Sequence, residues 1–425
     1  MNRARLSLSA SAVALALAGA TPAFAQTLDS RVRSASGDVV QFNFAARSGV
    51  CGDGRQLLRV DGGYWTTTYG SYNDMTTCAP GPVRAVVSKD RGDVIRIQLV
   101  AGPLVNVQDA ADLGRVSGAD AARYFIDLAN RLEGRPARTA VLAASLADSA
   151  DVADALLAIA RNPDRARELR SSALSWASRR AGVAGASRMA TSLNSIATDP
   201  NERQTMRASA LNGLSTLEGG AGVSALIALS DRTDDAWLAG EAADALSRTN
   251  DARVRPQLRR LLDNRSTPEA SRVRVISALG NTDGTVRDAE ALRAAYPRFT
   301  ERERTAALGA IGNIGDRASI SWLLDRAKDP AEGMTLRRGA AQRAARAGAR
   351  ASDLALLYDA VIERQLREVI VDALAEDGSR PALDKLLSIA ETTSSDMNVR
   401  RRAISKLGES GDPRAKPLLE SIIGR

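Results

Sequence analysis

Histidine is absent from the 425-residue chain. That excludes Ser-His-Asp and Cys-His catalytic arrangements and every histidine-ligated zinc or iron site. Only two cysteines occur, Cys51 and Cys78, and only five lysines (58 basic residues, of which 53 are arginine). No lysine stands three residues after a serine, so a Ser-x-x-Lys hydrolase is excluded. The G-x-S-x-G elbow, the phosphate-binding glycine loop and G-x-G-x-x-G are missing as well. No cofactor is expected, and catalysis would have to rest on carboxylates. After the first residues no apolar run approaches the roughly 20 residues that a membrane-spanning helix needs.

The start of the chain reads as an export signal. Arg3 and Arg5 precede an apolar, small-residue stretch from Leu6 to Gly19, and Ala23-Phe24-Ala25 forms a cleavage site before Gln26. The sequence thus predicts a signal peptide over 1–25, cleavage after Ala25, and a periplasmic or secreted protein. In an oxidising compartment Cys51 and Cys78 are most simply one disulfide; two free buried thiols are the alternative. The formal charge is +8, or +6 without Arg3 and Arg5. Because the arginines alternate with 50 acidic residues, a salt-bridged surface explains this balance better than nucleic-acid binding.

Residues 26–115 carry the pattern of a small β domain. Val39–Phe44, Gln56–Val60, Val83–Val87 and Val94–Leu99 are short runs of β-branched and large apolar residues separated by turn formers. Asp90-Arg91-Gly92-Asp93 predicts a hairpin turn between 83–88 and 94–100, which accounts for the Arg-Gly-Asp tripeptide better than cell adhesion does. From about Ser117 the composition shifts to alanine, leucine and arginine at helical spacing. Tyr124, Phe125 and Leu128 share one face of the first helix.

A repeat then dominates. Arg170, Arg207, Ala239, Arg272, Arg304, Arg337, Arg367 and Arg400 anchor eight copies of one pattern at steps of 37, 32, 33, 32, 33, 30 and 33 residues. A small or apolar residue follows each anchor after three positions and an apolar one after seven. Such a period marks stacked helix pairs, none of which can bury its apolar face alone. Gly315-Asp316 and Gly411-Asp412 read as a helix stop followed by a cap. Asp199-Pro200, Asp329-Pro330 and Asp412-Pro413 read as a cap with proline at the first helical position. The pattern continues into a last helix over Arg414–Ile423.

Val399-Arg400-x-x-Ala403-x-x-x-Leu407-Gly408-x-x-Gly411-Asp412 resembles the short HEAT-like repeats named after phycobilisome lyases. That resemblance covers about residues 135–425. It implies a mostly α fold: an α-solenoid over 116–425, preceded by the small disulfide-bonded β domain. For function it implies no single activity, since such repeats occur in enzyme subunits, scaffolds and adaptors.

Three places could carry function. Tyr64, Trp65, Tyr69 and Tyr72 crowd nine residues of a chain with 15 aromatics (5 Phe, 4 Trp, 6 Tyr). Between the cysteines, among threonine, serine, glycine and asparagine, they have the composition of a recognition surface for protein or carbohydrate. They could equally be the core of a small domain. The second place is the concave face of the solenoid, suited to a peptide or protein partner. The third is carboxylate pairs such as Asp234/Asp235 and Glu376/Asp377, which helix capping also explains. The anchor arginines are expected to pair with inter-helix aspartates as struts. The expected function is a non-catalytic interaction scaffold; a lyase-like or carboxylate-dependent hydrolytic enzyme is the alternative.

Overall fold

The structure is a computed structural model and describes residues 26–55, 57–61, 63–65, 78–103, 109–281, 283–392, 396–417 and 420. Tyr69, Tyr72, the signal segment and the end of the last expected helix lie outside these residues. The chain divides into two compact units, one up to Val152 and one from Ala153.

The first unit contains α1 (Leu28–Ser34), β1 (Val39–Phe44), β2 (Val50–Gly52), β3 (Leu58–Val60), β4 (Gly63–Trp65), β5 (Ala79–Pro80), β6 (Val83–Asp90), β7 (Asp93–Ala101), β8 (Ala111–Arg115), α2 (Gly118–Arg131) and α3 (Gly134–Leu146). Two four-stranded sheets form, in the orders β7-β6-β1-β8 and β4-β3-β2-β5. The expected hairpin is β6–β7, antiparallel from Val83↔Ala101 to Asp90↔Asp93, with Arg91 and Gly92 turning at positive φ. Cys51 and Cys78 form a disulfide.

The composition changes near residue 116, yet the compact unit runs on to Val152. The reason lies in β1. Its Phe42 and Phe44 are fully buried, and the rings that cover them come from α2. Phe125 stacks on Phe42 at 5.8 Å, Tyr124 meets it edge-on at 5.8 Å, and Phe44 lies 6.0 Å from Phe125. A sheet with so few large residues of its own closes its core with a helix. The backbone adds further ties: the Arg47 N–H donates to Leu146 O at 2.9 Å and the Asp148 N–H to Ala45 O at 2.9 Å.

The second unit consists of α4 (Ala153–Arg161), α5 (Arg167–Arg180), α6 (Gly182–Thr198), α7 (Gln204–Ser215), α8 (Val223–Ser230), α9 (Ala236–Ser247), α10 (Val254–Asp263), α11 (Glu269–Leu279), α12 (Val286–Ala295), α13 (Glu301–Ile314), α14 (Arg317–Lys328), α15 (Met334–Arg346), α16 (Ala351–Ala360), α17 (Arg364–Asp377), α18 (Arg380–Glu391) and α19 (Met397–Ser410). Each anchor lies on an odd-numbered helix from α5 to α19. Every odd helix in this row packs on the next, more closely than the even helices pack on each other. A row with the shorter spacing lies on the inside of the bend, so the odd helices form the concave side of this unit.

The residues that follow the anchors show why the stack holds. Ala173, Ala210, Ala242, Ala307, Ala340 and Ala403 are buried where odd helices approach, together with Val275 and Ile370. One turn on, Leu214, Leu246, Leu279, Ile311, Leu374 and Leu407 are at most 1% exposed. Burying each such side chain contributes roughly 2 kcal/mol, and only the neighbouring pair supplies the cover.

Gly315 and Gly411 end α13 and α19 in the left-handed region (φ 63 and 69), where a side chain would be strained. Asp316 then caps α14, accepting from the N–H groups of Ala318 (3.0 Å) and Ser319 (3.2 Å). Two of the Asp-Pro pairs behave otherwise than expected. Asp199 and Asp329 close α6 and α14 instead of opening the next helix, which starts only at Gln204 and Met334. Their carboxylates accept from the N–H two residues on, Asn201 at 2.8 Å and Ala331 at 3.0 Å. This closes a local turn around the proline in place of a cap.

Candidate functional site

The anchor arginines point into the stack. Their Nε atoms donate to carbonyls near the C-terminal end of the preceding even helix: Arg170 to Ala160 (2.8 Å), Arg207 to Ala197 (2.8 Å), Arg337 to Ala327 (3.0 Å) and Arg400 to Ala390 (2.7 Å). Those carbonyls lie in a last turn without intrahelical partners, where a cation is favoured. In five of the anchors the other end of the guanidinium reaches an acid of the following repeat. Arg207 meets Asp235 at 2.5 Å, Arg272 meets Glu303 at 2.7 Å, Arg304 meets Glu332 at 2.9 Å, and Arg337 meets Glu363 at 2.6 Å; Arg170 pairs with Glu202. The struts are therefore real, but four of these five acids are glutamates rather than the expected aspartates. Arg337 hydrogen bonds to Glu363 and holds its carboxyl below the ordinary glutamate range.

Ala239 interrupts this ladder. No guanidinium leaves α9 at that position; instead Ser271 Oγ donates to Ala236 O at 2.7 Å, and Arg274 reaches back to Glu241 at 2.7 Å.

The carboxylate pairs sit at helix ends. Asp235 caps α9 through the Leu238 N–H (2.9 Å), and Asp377 accepts from the Ser379 N–H (3.0 Å). The Arg232 guanidinium beside Asp234 draws its carboxyl down to about 2. Partial burial pushes Asp235 up, but hydrogen bonds from Arg207 and the Leu238 N–H outweigh it and leave the group lowered. A carboxylic acid serving as proton donor at neutral pH needs the opposite shift.

With the anchors turned inward, each odd helix offers its free face through residues one or two, five and nine positions after the anchor. On α5 these are Ser171, Ser175 and Arg179; on α7, Ser209 and Asn212 with Thr216 at its C-terminal cap; on α9, Glu241 and Asp244 with Arg248 at its C-terminal cap. Together they line an open groove of about 580 Å³. Ser209 Oγ donates to Ser171 Oγ at 3.3 Å, while Arg248 ties Asn212 of α7 to Asp244 of its own helix. Ser175 and Asn212 are exposed along it. The sequence named the concave face without naming its lining. The signal was present, because the register of the anchors determines which positions look outward.

The aromatic segment enters the second sheet. Tyr64 and Trp65 belong to β4, whose backbone pairs with β3 at Arg59↔Tyr64 and Leu58↔Trp65. Tyr69 and Tyr72 fall outside the described residues.

Comparison with known proteins bears on the helical part. Residues 363–425 match the family model for HEAT repeats. No curated protein matches the chain. Among solved structures, human deoxyhypusine hydroxylase in complex with glycerol is similar at 18% identity, over 56% of this chain and 90% of that one, with a TM-score of 0.28. HEAT repeats are thus matched over residues 363–425, and the fold is a helical solenoid of HEAT-like helix pairs preceded in sequence by a small two-sheet region.

Proposed function

We propose that this chain is an exported, non-catalytic interaction scaffold that holds an extended segment of a partner protein along the free face of its odd helices. The observation that carries the reading is the groove over α5, α7 and α9. Its hydroxyl and amide groups suit the backbone donors and acceptors of an extended chain, and its mixed charges suit side-chain selection. The lowered carboxylates at Asp234 and Asp235 speak against the hydrolytic alternative. The repeats are of the short phycobilisome-lyase kind, used here for shape alone.

Peptides selected from a random library on the intact chain are expected to bind at least about tenfold more weakly to Ser175→Trp and Asn212→Trp variants with unchanged helical circular dichroism. Equal affinity for both variants and the original would remove the groove from the account. Export rests on the Ala23-Phe24-Ala25 site and on the disulfide, which persists in an oxidising compartment. N-terminal sequencing of the extracytoplasmic chain should begin at Gln26. A cytoplasmic protein retaining Met1 would refute it.

A further inference from the structure

Charge along the free face of the odd helices is not evenly paired. On α9 and α11, Arg248 is tied to Asp244 and Arg274 to Glu241; at the other end, Arg402 of α19 is held by Asp372 of α17 at 2.6 Å. Between them lies a different patch. Arg302 on α13 and Arg338, Arg343 and Arg346 on α15 have no carboxylate partner among the described residues, although Arg302, Arg338 and Arg346 are exposed. Arg343 lies across α13: a methyl group placed on Gly309 would come within 3.6 Å of its Nη2, and one on Gly312 within 3.0 Å of its Cβ. Gly309 and Gly312 leave room on α13 for the Arg343 side chain to lie against the helix. Four arginines on two neighbouring odd helices are thus left without a counter-charge among the described residues.

We propose that these arginines are the docking position for an acidic stretch of an extended partner peptide, an inference that rests on the scaffold reading above and gives that partner its charge pattern. Arg338 to Arg346 span about 12 Å of helix, room for two or three carboxylates. Guanidinium groups without a local acid bind carboxylates through paired N–H donors at little cost in rearrangement. The next helix sets a limit on the ligand. α17 presents Glu368, Asp372 and Glu376 on the same face, and Glu376 has no cationic partner among the described residues. Neighbouring helix axes lie about 8–10 Å apart, which an extended chain covers in roughly three residues. A uniformly negative polymer crossing from α15 would run onto these acids. A peptide with acidic residues followed about three positions later by basic ones would match both helices.

The test uses the intact chain and a fluorescein-labelled peptide of about 12 residues with that acid-then-base order, in an extended, β-favouring sequence. Binding is read by anisotropy at low and physiological salt. The Arg338→Glu/Arg343→Glu double variant is expected to weaken binding at least about tenfold, and a peptide with the charges exchanged should recover most of the loss on that variant. Affinity should fall as salt rises, because these contacts are exposed. Unchanged affinity for the double variant, or equally tight binding of a single-stranded oligonucleotide of the same length, would overturn the proposal. The Ser175→Trp variant separates this failure from that of the scaffold reading. If library-selected peptides respond to Ser175→Trp and ignore the reversal on α15, the inference fails and the scaffold stands. If they respond to neither, both fail.

Discussion

Arg272→Ala is expected to destabilise the helical unit by about 3–5 kcal/mol, because it strands a carboxylate that has no other cation among the described residues. Glu303 is 0% exposed, and Arg272 Nη1 donates to it at 2.7 Å while Nη2 donates to Thr267 O at 2.7 Å. The variant therefore removes the counter-charge of a buried acid and the partner of a loop carbonyl at once. Glu303 also accepts from the Thr300 N–H at 2.9 Å in the capping box of α13, so the disturbance reaches the start of the next helix. Because stacked repeats share their stability with their neighbours, hydrogen exchange should rise both around 264–272 and around 300–304. Arg338→Ala, on the free face of α15, is expected to change stability by no more than about 0.5 kcal/mol. Urea unfolding followed by circular dichroism distinguishes the two arginines. Equal costs would mean that the anchor position has no special structural role.

The second large effect is expected in the N-terminal unit. Phe42→Ala should cost about 3–5 kcal/mol, as the loss of a fully buried ring leaves a cavity its neighbours cannot fill. Those neighbours are Phe44 on the same strand and Tyr124 and Phe125 on α2, all within 6.5 Å between ring centres. If α2 completes the core of the sheet, exchange protection in β1 and α2 should be lost together. Persistent protection of α2 alongside an opened sheet would show that the helix does not depend on the strands.

The repeat was legible because burial enforces it. An alanine and a leucine or isoleucine at fixed distances from an anchor are what adjacent helix pairs need in order to close on each other. Tyr124, Phe125 and Leu128 on one helical face were equally plain, and they are buried as that spacing requires. The strand that Tyr124 and Phe125 cover was not readable, since ring-to-ring pairing depends on the tertiary path between Phe42 and α2. The acidic partners of the anchors were also hidden. Their separations from the arginines are 32, 28, 31, 28 and 26 residues, varying with each intervening loop, so no fixed spacing announces them. The Asp-Pro pairs misled for a related reason: aspartate before proline can cap a helix or close a turn, and only the start of the next helix decides between them.

Residue type alone did not separate structural arginines from available ones. Arg337 and Arg338 are adjacent, yet Arg337 is 4% exposed and held by Glu363 and Ala327, whereas Arg338 is exposed and unpaired among the described residues. One position of helical rotation divides the two roles. The anchors determine how the repeats stack, and the register they impose decides which side chains reach a partner.

That division of roles is tested most directly by a double-mutant cycle at the Arg272–Glu303 strut, in which Arg272→Ala, Glu303→Ala and the double variant are unfolded in urea under identical conditions. The expected coupling energy is at least about 2 kcal/mol, with the double variant more stable than the sum of the single losses implies. Additive losses, with coupling under about 0.5 kcal/mol, would contradict it.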